Sequence, residues 1–361
     1  MVEVHVTADN IENKAEHKVA KSPIYNPIDG MLYYVDITGF MVCQLNPETN
    51  ELKRFQLGQG EYVGGVAAMP DGSLYVVTQS GVWGFKPSNE HTSQWAKVTD
   101  FDFKSLGVRP NDITIIPSVL DPQGGIDDGA TIVIGTAALN VAECEKSGQR
   151  PARIYALENK GTEGCKLKEL SIPNAQTEGF MFANALCGYI AADGSRMIRF
   201  SDSHASCKTL YEAQFLPSSG YLLDARVVKV YEGGDRGRPD GAAIVVVDGQ
   251  MCQAISAIGA GKFEILAIGG SEKLLGNMVM DSVVKPTKPC FYPNSKGGTS
   301  YLITSMPNDA GTDHGGHIFT GDLPANFKAV QQALPGQYPN FEQLVAAGNN
   351  VNQAPGLKQL S

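Results

Sequence analysis

Few side chains in this sequence stand in a spacing that announces chemistry on its own. His314-Gly315-Gly316-His317 sets two imidazoles three residues apart in a glycine loop. A metal pair of this kind lacks a third ligand in the sequence around it, so the two are expected to be loop and strand histidines. Asp202-Ser203-His204 has the composition of a hydrolytic triad. Adjacent residues of a strand point to opposite faces, which rules that triad out. No Gly-x-Ser-x-Gly, P-loop or Gly-x-Gly-x-x-Gly signature stands in a strand-to-helix context. Arg109-Pro110-Asn111-Asp112 gathers a guanidinium, an amide and a carboxylate. Arg109 suits either a clamp on a substrate oxygen or a structural salt bridge, and Asp112 suits a turn cap.

The composition narrows the classes. The chain has 361 residues, 42% hydrophobic and 19% charged, with 40 Gly and 20 Pro. A chain of this length buries a large core without disulfide support. The glycines and prolines are dispersed, which suits many turns rather than disorder. The net charge is −9 and no Lys/Arg cluster appears, so a nucleic-acid partner is not expected. Seven cysteines are scattered with no Cys-x-x-Cys pair, and are expected to be buried free thiols. No apolar run approaches the roughly 20 residues of a membrane span, so no membrane partner is expected. The amino-terminal residues lack a basic stretch followed by an apolar one. Together these features predict a cytoplasmic protein.

The elements that would position any site come from a repeated phrase. In Ala20 to Phe40, Ser22-Pro23 precedes an apolar pair, an Asn26-to-Gly30 turn and a strand run from Met31 to Val35. Asp-Gly between β-rich runs is a strong hairpin signal. The phrase returns from Val63 to Val77, and weaker copies open at Pro110, Glu178, Pro239 and Pro286. Successive openings are 40, 47, 68, 61 and 47 residues apart. That period, with several strands per unit, predicts an all-β six-bladed propeller as a single domain. Residues 1–19 are expected to supply a first strand, Val2 to Val6, that completes the last blade, followed by a connector. Residues 334–361 are expected to form a surface strap.

With the blades in place, the chain from about 18 to 322 resembles the SMP-30/gluconolactonase/luciferin-regenerating-enzyme family. The resemblance rests on Ala20-Lys21-Ser22-Pro23 with Val35-Asp36-Ile37, on Arg109-Pro110-Asn111-Asp112, on Ile134-Gly135-Thr136, on Pro239-Asp240-Gly241, and on Tyr301 to Ser305 with Gly315-Gly316. It implies a six-bladed propeller, a small-molecule substrate and one divalent metal on the axis, often Ca²⁺. The implied ligands are a Glu in the first motif, the Asn at Asn111, an Asn in a Pro-Asn-Gly opening, and the Asp at Asp240. Hard oxygen donors converging from separate blades suit such an ion.

This sequence departs from that pattern twice. Lys21 stands where the first Glu is usual, and Thr177-Glu178-Gly179 stands for Pro-Asn-Gly, with Asn174 as a rival. An ammonium offers three donors and no acceptor, so it cannot ligate a cation. Two readings follow. In one, Glu178 returns the lost carboxylate and joins Asn111 and Asp240 around the metal. In the other, Lys21 replaces the metal and pairs with Glu178 and Asp240, and no cofactor is needed. The first implies a hydrolase of a lactone or related small ester, with Asp240 activating water and Arg109 and Asn111 orienting substrate. The second allows a protein that binds or converts a small molecule non-hydrolytically through Lys21 and Glu178, with Lys21 as acid, base or imine-forming amine. A protein-binding ring is disfavoured, because the repeats carry no Trp-Asp period.

Overall fold

Turn chemistry builds the repeating unit. Asp29 and Asp71 each accept a hydrogen bond from the backbone N–H two residues on, at Met31 and Ser73, and Asp193 does the same for Ser195. Such a side chain closes the turn locally and tolerates the tight bend. The glycine after each, Gly30, Gly72 and Gly194, has φ of 71°, 82° and 86°, a region where a Cβ is disfavoured. Gly249, after Asp248, repeats the pattern at 78°. Each turn folds an inner strand back onto its neighbour, and two further antiparallel strands complete a blade.

The computed structural model describes residues 2–7, 9, 11–12, 16–58, 60–69, 71–86, 95–117, 130–159, 165–173, 179–216, 219–232, 237–269, 272–308, 313–324 and 358–360. Six sheets form a β-propeller, as the repeats predict. The innermost strands are Ala20–Asn26, Val63–Ala68, Val108–Ile116, Ala183–Ile190, Arg238–Val247 and Pro286–Pro293. Six apolar layers fill the six spaces between neighbouring blades. The layer between blades six and one, for example, holds Leu302 and Ile318 against Leu32 and Tyr34. Alternation along each strand feeds two such layers at once, so no blade is stable apart from its neighbours.

Ring closure differs from the expectation. Val2–Val6 does not complete the last blade; it adds in parallel to Leu274–Met280 as a fifth strand on blade five. Blade six takes its fourth strand from Ile11–Glu12, paired with Ile318–Asp322 inside what the sequence suggests is a connector. Blade one gains a fifth strand from Lys358–Leu360, on Leu52–Gln56. The rest of the expected strap lies outside the described residues. All seven cysteines are free; six are buried and Cys207 is half-buried. Among the described residues no helix is long and apolar enough to cross a membrane.

The inner strands share one irregularity. Each slips register against its neighbour near its start: between Lys21 and Ile24, Val63 and Gly65, Pro110 and Asp112, Asn184 and Cys187, Pro239 and Ala242, and Pro286 and Lys288. A bulge re-aims the side chains on either side of it. Here it brings Lys21, Gly64, Asn111, Asn184, Asp240 and Thr287 to equivalent places on six blades. The strands approach one another so closely there that glycine is required. A Cβ on Gly64 would lie 2.5 Å from the Pro110 carbonyl carbon and 2.8 Å from the Asn111 nitrogen. Gly64→Ala should therefore destabilise the fold by about 1–3 kcal/mol, the range for overpacking. Urea unfolding of the purified variant checks this, and an unchanged midpoint would show that the blades have slack at the axis.

Candidate active site

The residues aligned by the bulges form two decks on the axis. In the upper deck the Lys21 ammonium donates to Asp240 Oδ1 and to Asn184 Oδ1, each at 2.6 Å. The Asn184 amide nitrogen donates to the same Asp240 oxygen. Lys21, Asn184 and Asp240 are 2%, 4% and 5% exposed, so the pair is almost dry. Asp240 Oδ2 has no hydrogen-bond partner among the described residues. Asn111 lies in the same deck and donates to Ala183 O at 3.2 Å. Its Oδ1 accepts from Arg109 Nη1 at 2.8 Å. Arg109 stands half-buried beside it, with its guanidinium 5.9 Å from the Tyr62 ring centroid. Burial lowers the Arg109 proton affinity, and the Tyr62 and Asp240 groups act in the opposite sense.

The lower deck is a second buried ion pair. Lys288 Nζ donates to Asp112 Oδ1 at 2.8 Å, and Asp112 is completely buried. The same carboxylate accepts from Ser22 Oγ at 3.2 Å, from Ile113 N at 3.0 Å and, through Oδ2, from Leu186 N at 3.0 Å. Asp112 thus joins blades one, three, four and six, a larger role than the turn cap expected of it. Its partners Ser22 and Leu186 lie one and two residues from Lys21 and Asn184. Ser22 and Ala185 both have φ of 52°, a left-handed conformation unusual for residues with a Cβ. Strain of this kind persists only where surrounding bonds impose it, and it gathers at functional sites. The lower deck supplies those bonds. Beside Lys288, the six inner strands line an open cavity of about 140 Å³.

The structure brings Lys21, Asn111 and Asp240 together and sets Arg109 at their side. Glu178 and Asn174 lie outside the described residues. Asn184, absent from the sequence-level set, is the blade-four residue at the axis. A count back from the Asp-Gly turns would have found it: Lys21 precedes Asp29 by eight residues, Gly64 precedes Asp71 by seven, Asp240 precedes Asp248 by eight, and Asn184 precedes Asp193 by nine. Lys288 was also missed. His314 and His317 approach to 6.2 Å between ring centroids. Among the described residues, no group of three or more His, Cys, Asp or Glu side chains could hold a metal. His204 Nε2 pairs with Glu145 at 3.1 Å, and the buried Asp202 binds Arg150.

Six blades surround a polar axial cluster. The family profile of the SMP-30/gluconolactonase/LRE-like region matches residues 19–306, and the chain belongs to this family. Among solved structures, regucalcin from Agrobacterium tumefaciens, described as a calcium-binding protein, superposes with a TM-score of 0.65 at 15% identity, covering 92% of this chain and 99% of that one. A luciferin-regenerating enzyme gives 0.58 at 16%, covering 88% and 95%. A gluconolactonase from Xanthomonas campestris gives 0.53 at 14%, covering 86% and 87%. At such identities the likeness speaks for the fold. No curated protein matches the sequence.

The lower pair carries a prediction. Burial, the largest influence, lowers the Lys288 proton affinity, but Asp112 and, more weakly, Cys187 and Asp240 outweigh it, so the folded value stands above the ordinary 10.5. A group whose value is raised on folding stabilises fully below its unfolded value and loses that contribution as pH rises through the folded one. Unfolding free energy should therefore fall above about pH 10.5 in the wild type, and this component should be absent in Lys288→Met. Asp112→Asn alone should cost about 3–5 kcal/mol, because it leaves a buried charge unpaired. Urea unfolding across pH 8 to 11 checks both; Asp112→Asn with wild-type stability would contradict them.

Proposed function

We propose that this protein hydrolyses a lactone or related small ester at the axial site, with the Lys21 ammonium in the place of the family's metal ion. The observation that carries the reading is the 2.6 Å contact of Lys21 Nζ with both Asp240 Oδ1 and Asn184 Oδ1. These are the two kinds of oxygen that would ligate a hard cation. Both are turned to an ammonium, and the third, Asn111 Oδ1, is turned to Arg109. A divalent ion does not fit this donor set while Lys21 lies across it, so no step is drawn through a metal. Membership of the family supports lactone-type chemistry at the level of class.

The residues divide the work as follows. The remaining N–H of Lys21 and the Arg109 guanidinium donate to the carbonyl oxygen and stabilise the negative charge that develops on it. Preorganised donors at a developing oxyanion are worth most in a dry site, and Lys21 is held rigid by two acceptors. Asp240 Oδ2 accepts a proton from a water molecule as that water adds to the carbonyl carbon. The ring C–O bond then breaks and the leaving alkoxide takes the proton from Asp240, giving the hydroxy acid. Asn184 fixes the Asp240 carboxylate in position, and Asn111 fixes Arg109.

A pH-indicator assay on a panel of five- and six-membered lactones tests this. Turnover should persist in excess EDTA. Lys21→Met, with its fold checked by circular dichroism, should lose about 10²–10³ in kcat/KM, the usual scale for removing an oxyanion donor. No turnover by the wild type, loss of turnover in EDTA, or full activity in Lys21→Met would each overturn the reading.

A further inference from the structure

The turn joining Met31–Asp36 to Met41–Leu45 in blade one holds a residue that its backbone disfavours. Asp36 Oδ1 closes the turn by accepting from Gly39 N at 3.1 Å, and Phe40 follows with φ of 63°. Glycine enters this left-handed region freely, whereas a bulky residue there is an outlier. Core packing does not account for it: among the described residues, Phe40 belongs to none of the six apolar layers between blades. Its ring stands half-buried and edge-on to Tyr62, with 5.6 Å between centroids and 74° between planes. Backbone strain kept for a side chain outside the core points to a function for that side chain.

Phe40 and Tyr62 line a pocket of about 590 Å³ among the loops of blades one, two and three, within the range of about 300–1,000 Å³ typical of small-molecule sites. The half-buried Phe101 adds a third ring, and Leu139, 36% exposed, adds an aliphatic side chain. Most charged side chains of the lining are engaged. Glu61 accepts from Ser80 Oγ at 2.8 Å, Lys97 pairs with Asp100, and Asp102 accepts from Ser105 N at 3.1 Å. Lys104, an exposed side chain, is the remaining one. The surfaces left to a ligand are therefore chiefly apolar, and an uncharged carbon skeleton laid on them takes both partners out of water. Tyr62 also joins the pocket to the axis, because the Arg109 guanidinium lies over its ring, 5.9 Å from the centroid.

We infer that this pocket binds an uncharged apolar group, and that on the molecule whose carbonyl reaches the axis this group is the substituent of the lactone ring. The substrate class is then a lactone with an alkyl or aryl substituent rather than a polyhydroxylated one. The attachment to a lactone rests on the axial reading; the binding of an apolar group does not.

N-Phenyl-1-naphthylamine, an uncharged dye that brightens in apolar surroundings, is the probe. Titration with the full chain should show one saturable site. Phe40→Gly should weaken binding at least tenfold with a urea midpoint no lower than that of the wild type, because glycine relieves the left-handed strain. Leu139→Asp should weaken binding as well. No saturable binding by the wild type, or undiminished binding in either folded variant, would overturn the inference. δ-Decalactone should displace the dye at a concentration at least tenfold below that needed with δ-valerolactone, which has the ring without the chain; equal displacement would overturn the lactone assignment. Neither step reads hydrolysis, so an absence of turnover would count against the axial reading alone.

Discussion

Two buried ammonium–carboxylate pairs cross the axis of this propeller, Lys21 with Asp240 and Lys288 with Asp112, and five of the six inner strands supply them and the groups that bond to them. Taking such charges out of water costs several kcal/mol per ion, which the attraction offsets only when further hydrogen bonds satisfy the remaining polar atoms. Ser22, Ile113 and Leu186 supply those bonds to the lower pair, whereas Asn184 bonds to both members of the upper pair and leaves Asp240 Oδ2 without a partner among the described residues. Because the partners come from different blades, the pairs also set the register of the ring. Buried ion pairs contribute little net stability, but a misplaced blade would leave one of these charges alone.

The strain at Ser22 and Ala185 follows from the same constraint. An ordinary extended backbone at these points would turn Lys21 and Asn184 away from the axis. The bulges and left-handed residues turn them inward, and Asp112 holds both distortions. Glycine at 64 and 241 lets neighbouring blades approach: a Cβ at Gly241 would lie 2.6 Å from the Thr287 carbonyl oxygen. Apolar layers between the blades supply the burial that sustains this arrangement. In chemical terms the result is a buried cation held fixed at the axis by two acceptors.

Much of this was legible in the sequence. Six openings with turn residues at regular offsets gave the propeller, and the motifs around Asn111 and Asp240 gave the family. Lys21 was visible as a departure because the flanking Ser22-Pro23 fixed its place. The blade-four residue escaped because its neighbours are Ala183 and Ala185 rather than proline and glycine, so local matching pointed upstream to Glu178 and Asn174. Lys288 escaped for another reason: Lys-Pro-Thr-Lys-Pro has the composition of an exposed turn, and only the packed ring shows that its second lysine is buried opposite Asp112. The closing strand was misplaced because Ile11–Glu12 is too short to carry a period, whereas Val2–Val6 alternates clearly yet pairs with blade five. Side-chain partners across more than 150 residues, such as Lys21 with Asn184, leave no local trace.

The central claim is that Lys21 takes the charge role of a divalent ion at the axis. Isothermal titration of Ca²⁺ into the wild-type protein and into Lys21→Glu tests it most directly. The account expects no saturable binding by the wild type, and one site in Lys21→Glu, where a carboxylate oxygen joins those of Asn184 and Asp240. Stoichiometric binding of Ca²⁺ by the wild type would contradict it.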